Sequence, residues 1–327
     1  MSVPAFQLLR PRNLDAAVSL LAKHAGDVKV IAGGTDLLPS MKQKLFTPPF
    51  LLDLRGVDEL RGIRPMPDGS VTIGALTTLA QIEHSPLIRR DYSVLYQAAK
   101  TVASPVLRNM GTLGGNICLD TRCLWYNQSL LWRKSCGFCL KKDGDLCHVA
   151  PSSKICWAAF SGDTPPALLC LGVEVEIAGT NGVRRVPIAE FYVNDGIVRL
   201  HLSASEIVAR ICIPATSQGW HGSYEKLRVR GSIDYPLAGV AVALKFRQGR
   251  VEDARMAITA VNPAPHLVKD VDRTLLGMEV NAELAEQIGE LAGRTAKPLT
   301  TSALTPEYRR EMVRVFARRA VMQAAAN

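Results

Sequence analysis

Hydrophobic positions along this chain fall into short segments of alternating helical and strand period, cut by turn residues from one end to the other. Across residues 13–26, Leu14, Ala17, Val18 and Leu21 recur at helical spacing between an Asn that can cap and a Gly that can terminate, which predicts an amphipathic helix. The apolar run 28–32 predicts a strand entering the turn Gly33-Gly34-Thr35-Asp36, after which residues 37–45 begin another helix. Strands are predicted at 50–54 and 71–75, and helices at 78–84 and 93–102. Residues 173–177 alternate like a half-exposed strand, Asn181-Gly182 is a hairpin turn, and the strand 206–213 stops at Pro214. A linker is expected at 215–219, since a fresh pattern starts at Tyr224. Strands at 238–246 and 251–261, joined through Gln248-Gly249, predict a hairpin on which helices 282–291 and 306–322 pack, with Thr305 as cap and Pro306 in the first turn.

The chain has 327 residues, 47% of them apolar and 21% charged, which predicts two or three domains with real cores. Gly and Pro are spread along it, which excludes wholesale disorder. No apolar run reaches the roughly 18 residues a bilayer span needs, and the first residues lack the basic and apolar stretches of a secretion signal. A soluble cytoplasmic protein without a membrane span is therefore expected. The formal charge of +9 comes from scattered basic residues. A solvated surface explains it best, acidic partners or an anionic substrate next, and nucleic acid last, because no recognisable nucleic-acid module accompanies it.

Six of the eight Cys lie between Cys118 and Cys156. The spacing Cys123-x15-Cys139-x7-Cys147-x8-Cys156, with Cys136 two intervening residues before Cys139, offers more thiols than one four-coordinate site can use. Soft thiolates suit zinc or an iron–sulfur cluster, and the spacing does not choose between them. Lys141, Lys142, Asp143 and Gly144 make the segment a polar loop rather than a core strand, and His148 reads as a flanking or surface residue, not a ligand.

Two glycine-rich loops carry a second chemistry. Ala32-Gly33-Gly34-Thr35-Asp36-Leu37 follows a strand, where missing Cβ atoms let a diphosphate approach backbone N–H donors. Gly111-Thr112-Leu113-Gly114-Gly115-Asn116 repeats that chemistry with an added amide side chain, and two such loops can grip a dinucleotide from both sides. Neither is the G-x-G-x-x-G fingerprint, so a Rossmann nucleotide site is not indicated, and no nicotinamide site is identifiable. Asp163, before Pro165-Pro166, reads locally as a turn residue able to accept from a sugar hydroxyl; Lys226 reads locally as an exposed strand residue.

Together the two loops resemble those of the FAD-binding subunits of the xanthine dehydrogenase and carbon monoxide dehydrogenase family of molybdenum hydroxylases, over nearly the whole chain. An iron–sulfur insertion is unusual in such subunits. The run from Asp120 to Ser129, followed by Cys139-Leu-Lys-Lys-Asp-Gly-Asp-Leu-Cys-His148, resembles the β subunits of 4-hydroxybenzoyl-CoA reductases. The resemblance implies an α+β chain: a vanillyl-alcohol-oxidase-type FAD-binding fold of two subdomains, residues 1–57 and 58–214, with an insertion at 119–160, then a C-terminal α/β domain of the carbon monoxide dehydrogenase flavoprotein type at 220–327. It implies that Ala32, Gly33, Gly34, Thr35, Asp36 and Leu37, with Gly111, Thr112, Gly114, Gly115 and Asn116, bind the diphosphate and ribose of FAD. Thr77 and Ala103 would line the path, and Asp163 and Lys226 would contact the flavin half. Cys123, Cys139, Cys147 and Cys156 would hold a 4Fe–4S cluster, with Cys136 a spectator.

The implied role is an electron-transfer subunit, without catalytic residues of its own, in an enzyme that reductively dehydroxylates 4-hydroxybenzoyl-CoA to benzoyl-CoA with ferredoxin electrons. Its expected partners are a large subunit with the molybdenum cofactor and a small subunit with 2Fe–2S clusters, assembled as a dimer of heterotrimers. Two other readings stay open: the flavin subunit of a related molybdenum aldehyde or N-heteroaromatic oxidoreductase, and a zinc-stabilised binding module.

Overall fold

The computed structural model describes residues 2–326. Three β-sheets organise it. Strands β1 (Gln7–Leu9), β2 (Val28–Ile31) and β3 (Phe50–Asp53) form a small parallel sheet in the order β1-β3-β2, with Gln7 and Val28 both opposite Phe50. The predicted first helix is present as Leu14–Lys23, capped by Asn13, and buries Leu14, Ala17, Val18 and Leu21.

Strands β4 (Ile63–Pro65), β5 (Val71–Gly74), β6 (Glu174–Gly179), β7 (Gly182–Pro187) and β8 (Ile207–Ile213) make an antiparallel sheet ordered β4-β5-β8-β6-β7. One face, with Val71, Ile73, Val175 and Ile211, packs on the helices Leu79–His84 and Ser93–Thr101. Ala178, Ile207 and Ala209 instead join Leu14, Val18 and Leu52, so the first two sheets share a core. β6 is buried more completely than its alternation predicts. Glu176 is only 6% exposed because Arg185 and Arg210 both neutralise its carboxylate.

The third sheet is antiparallel, β12-β11-β10-β9, from β9 (His221–Leu227), β10 (Ala238–Arg247), β11 (Arg250–Thr259) and β12 (His266–Leu267). Gln248 and Gly249 both have positive φ, 52° and 77°, as the two-residue hairpin predicted there requires. Val240, Val242 and Leu244 pack on the helices Ala282–Thr295 and Pro306–Ala326, whereas Ala241 and Ala243 belong to the core of the middle sheet. β10 is thus buried on both faces, and this joins the C-terminal unit to the rest.

Two segments differ from the sequence expectation. Residues 215–219 are a packed turn and not a loose tether: Ser217 is buried and donates to Leu171 O at 2.5 Å. Thr164–Cys170, unpredicted, is a wholly buried helix with Pro165 and Pro166 in its first turn. Apolar residues all round leave no amphipathic period to detect, and prolines are tolerated where the helix has no intrahelical N–H bond to lose. Among the described residues no helix is long and apolar enough to cross a membrane.

Candidate functional site: two glycine loops and a cysteine-lined pocket

The first glycine loop connects β2 to the short helix Leu37–Lys42. The second runs into the helix Leu113–Ile117, whose cap Thr112 accepts a hydrogen bond from Gly115 N at 3.1 Å. The fold presses the two loops together. A Cβ on Gly33 would stand 1.8 Å from Met110 O, just before the second loop, and 3.1 Å from Gly111 N; one on Gly114 would stand 2.7 Å from the Cβ of Ala75, which follows β5. Gly34 has φ +71°, the left-handed region that favours glycine.

Other predicted residues are engaged inside the protein. Asn116 Oδ1 accepts from Thr164 N at 3.0 Å and from Thr164 Oγ1 at 2.6 Å, tying the second loop to the buried helix. The Thr77 side chain is buried and donates to Gly62 O at 3.1 Å, so it reaches the second loop only through its backbone, where its carbonyl accepts from Leu113 N at 2.9 Å. Ala103, at φ 46°, accepts at its carbonyl from Ile233 N at 2.9 Å. Asp36 is paired with Arg122 and accepts from the Tyr235 hydroxyl at 2.8 Å, while the Arg122 guanidinium lies 4.0 Å from the Tyr235 ring centroid. Three distant stretches of sequence thus meet at the first loop.

Asp163 and Lys226, which local sequence makes a turn residue and an exposed lysine, are instead a buried ion pair at 3.0 Å, with side chains 4% and 3% exposed. Tyr224 donates to the other Asp163 oxygen at 2.8 Å. Lys226 Nζ also donates to Thr101 O and Asp234 O, both at 3.0 Å, so the ammonium spends its three N–H bonds within the protein. Burial pushes the Asp163 carboxyl up, against the opposing pull of Lys226 and Tyr224.

Cys123, Cys139, Cys147 and Cys156 line one pocket, together with Trp125, Tyr126, Lys141 and His148 among others. Cys136 does not line it; it ends the unpredicted helix Leu130–Ser135. Phe138 and Asp143, with φ of 61° and 64°, curl the backbone around Cys139, and Leu140 N donates to Leu146 O at 2.8 Å across the loop. The His148 ring stacks on Trp125 with centroids 4.4 Å apart, and its Nε2 lies 2.5 Å from Phe138 O. Burial pushes the Cys123 and Cys156 thiols up to about 11. Cys118, Cys170 and Cys212 lie elsewhere, and all eight thiols are unpaired. No three His, Cys, Asp or Glu side chains among the described residues converge as a single metal ion would require.

Sequence reasoning passed over the charged frame around this pocket. Asp120 accepts from Lys141 at 2.8 Å, from Arg199 at 3.2 Å and from the Tyr126 hydroxyl at 3.0 Å. Arg133, 1% exposed, donates to Lys44 O at 3.0 Å, which staples the Cys-rich segment to the end of the helix that follows the first glycine loop. Nothing in the sequence pairs Arg199 with Asp120 or Arg133 with Lys44.

The family profile described as the FAD binding domain in molybdopterin dehydrogenase matches residues 4–216, and that of the CO dehydrogenase flavoprotein C-terminal domain matches residues 222–324. This chain belongs to the FAD-binding subunits of the xanthine dehydrogenase and CO dehydrogenase family of molybdenum hydroxylases. As a whole it is similar to the carbon monoxide dehydrogenase medium chain of Afipia carboxidovorans, 30% identical with 98% of this chain and 97% of the relative covered. The nicotine 6-hydroxylase medium subunit of Paenarthrobacter nicotinovorans is 29% identical, with 100% and 99% covered. Among solved structures, a Cu,Mo-CO dehydrogenase chain superposes with a TM-score of 0.83 at 28% identity, covering 100% of this chain and 99% of its own. The fold of this FAD-binding subunit is therefore a flavin domain followed by a CO dehydrogenase flavoprotein C-terminal domain.

Proposed function

We propose that this chain is the electron-transferring medium subunit of a multi-subunit molybdenum enzyme, with FAD held between its two glycine loops and a 4Fe–4S cluster in its cysteine-lined pocket. Ala32 to Leu37 and Gly111 to Asn116 would offer backbone N–H groups to the diphosphate and ribose. Asp163 and Lys226 act on the flavin half by holding Thr101 and Asp234 in place, since their own polar atoms are spent on each other and on the backbone. Bound FAD supplies the redox chemistry, and the protein supplies position, exclusion of water and electrostatics.

The observation that carries the reading is that Cys123, Cys139, Cys147 and Cys156 share one pocket while Cys136 stays outside it. Four cysteine sulfurs around one pocket match the all-thiolate ligand set of a 4Fe–4S cluster. Large and small partner subunits would carry the molybdenum cofactor and 2Fe–2S clusters. Relatives named for nicotine 6-hydroxylase and glyceraldehyde dehydrogenase support a related molybdenum oxidoreductase of N-heteroaromatics or aldehydes, in which electrons would leave through this subunit. A second reading, reductive dehydroxylation of 4-hydroxybenzoyl-CoA with ferredoxin electrons, is favoured by the cysteine pocket and by the run that surrounds it.

The complex, purified anaerobically with its partner subunits, should be yellow-brown and contain FAD and iron with acid-labile sulfide. Assays with 4-hydroxybenzoyl-CoA, aldehydes and N-heterocycles separate the two reactions. Replacing Cys123, Cys139, Cys147 or Cys156 by Ser should remove iron, whereas Cys136→Ser should leave it unchanged. Stoichiometric zinc without labile sulfide overturns the cluster reading.

A further inference from the structure

Lys141 is a cation buried beside four thiols. It lines the same pocket as Cys123, Cys139, Cys147 and Cys156, and its side chain is 6% exposed. The ammonium donates to Asp120 Oδ1 at 2.8 Å, Gly196 O at 2.9 Å and Thr121 O at 3.1 Å, and lies 4.4 Å from the Tyr126 ring centroid. Gly196 in turn touches the sulfur: a Cβ there would stand 2.7 Å from Cys156 Sγ, and its N–H donates to Cys156 O at 2.8 Å. The Gly196 backbone thus contacts both the ammonium and the Cys156 residue.

The charge around Asp120 does not balance within this network. Its carboxylate is shared by Lys141 and Arg199, and Lys29 brings further positive charge to the flank, whereas Lys142 is paired with Asp143 at 3.3 Å. A surplus buried cation is costly unless an anion faces it. The four cysteine sulfurs of the pocket would supply such an anion once they are ligated as thiolates.

We propose that Lys141 raises the reduction potential of the iron–sulfur group held in this pocket, and that Asp120 opposes it. The inference rests on the cluster reading above. A cluster with four thiolate ligands is anionic and gains one further negative charge when it accepts an electron, with no bond made or broken. A fixed ammonium at this distance favours the more negative state, and a fixed carboxylate disfavours it.

The test is a redox titration of the anaerobically purified complex, with external one-electron mediators and dithionite, followed by electron paramagnetic resonance. Iron and labile sulfide are measured on the same samples. Lys141→Met should shift the reduction equilibrium at least tenfold toward the oxidised cluster, about 59 mV lower for a one-electron couple. Lys141→Arg should keep most of the original value. Asp120→Asn should move it the opposite way, a sign reversal that loss of packing does not produce. If Lys141→Met fails to hold iron, Asp120→Asn and Lys141→Arg decide the matter. Full iron content with unmoved potentials, or shifts of the same sign in Lys141→Met and Asp120→Asn, overturns this inference alone. Absence of a cluster from the unaltered complex overturns the cluster reading and this inference with it.

Discussion

Gly33 has no room for a single methyl group, because the second glycine loop occupies the space where its Cβ would go, 1.8 Å from Met110 O. Relief of that overlap requires the loops to part, and overpacking of this kind costs roughly 1–3 kcal/mol or more. Gly33→Ala should therefore lower the FAD-to-protein ratio at least tenfold, read from flavin absorbance after desalting. Gly231→Ala, where nothing lies within 4 Å of the new atom, should leave it unchanged. Equal flavin content in both variants would show that the contact between the loops does not shape the binding site. The Asp163–Lys226 pair makes a second prediction at this scale. Asp163→Ala leaves a buried ammonium without its counter-ion and should cost about 3–5 kcal/mol of stability, measured by denaturant unfolding. The double variant Asp163→Ala with Lys226→Met removes the stranded charge and should recover part of that loss.

Among the elements, β7 is held by charge as well as by its backbone pairing with β6. Arg184 on β7 binds Glu206 at 2.7 Å, and that side-chain hydrogen bond holds the Glu206 carboxyl at about 2, well below its ordinary 4.5. A carboxylate with a depressed pKa stabilises the folded state above its ordinary pKa, and that contribution is lost as pH falls through the folded value. Stability should thus fall between about pH 5 and 2 more steeply in the unaltered protein than in Glu206→Gln, with the two curves converging near the bottom of that window. Parallel unfolding curves across it would show that the pair contributes nothing. Arg133 belongs to the same scale, since it joins the helix Leu130–Ser135 to the carbonyl of Lys44, just past the helix that follows the first glycine loop.

For the whole molecule, the second glycine loop and the Cys-rich segment are neighbours in the chain, with Asn116 and Cys123 separated by only six residues. Under the reductive reading proposed above, a variant lacking Cys147 but retaining FAD should lose ferredoxin-driven reduction of the flavin and keep more turnover with small reductants that reach the flavin directly. Anaerobic stopped-flow at flavin and cluster wavelengths measures this. Unchanged ferredoxin-driven reduction would make the Cys-rich segment a structural staple.

The sequence by itself determined the elements that have a period and an end signal. Leu14 to Leu21 behind Asn13, the Gln248-Gly249 hairpin and the last helix behind Thr305 are local matters of side-chain spacing and backbone conformation, and local sequence encodes both. It also supplied the chemistry of the glycine loops and the cysteines, though the spacing alone left zinc and iron–sulfur open. What the tertiary structure decided was which groups face one another. Asp163 and Lys226 are 63 residues apart and Asp36 and Tyr235 are 199 apart, and neither partner carries a mark of the other. The helix Thr164–Cys170 escaped detection for a related reason, because burial on every side erases the polar stripe that reveals a surface helix. Periodicity records where a segment meets solvent. The pairing of a buried charge depends on how distant segments close on each other, and that information exists only once the chain has folded.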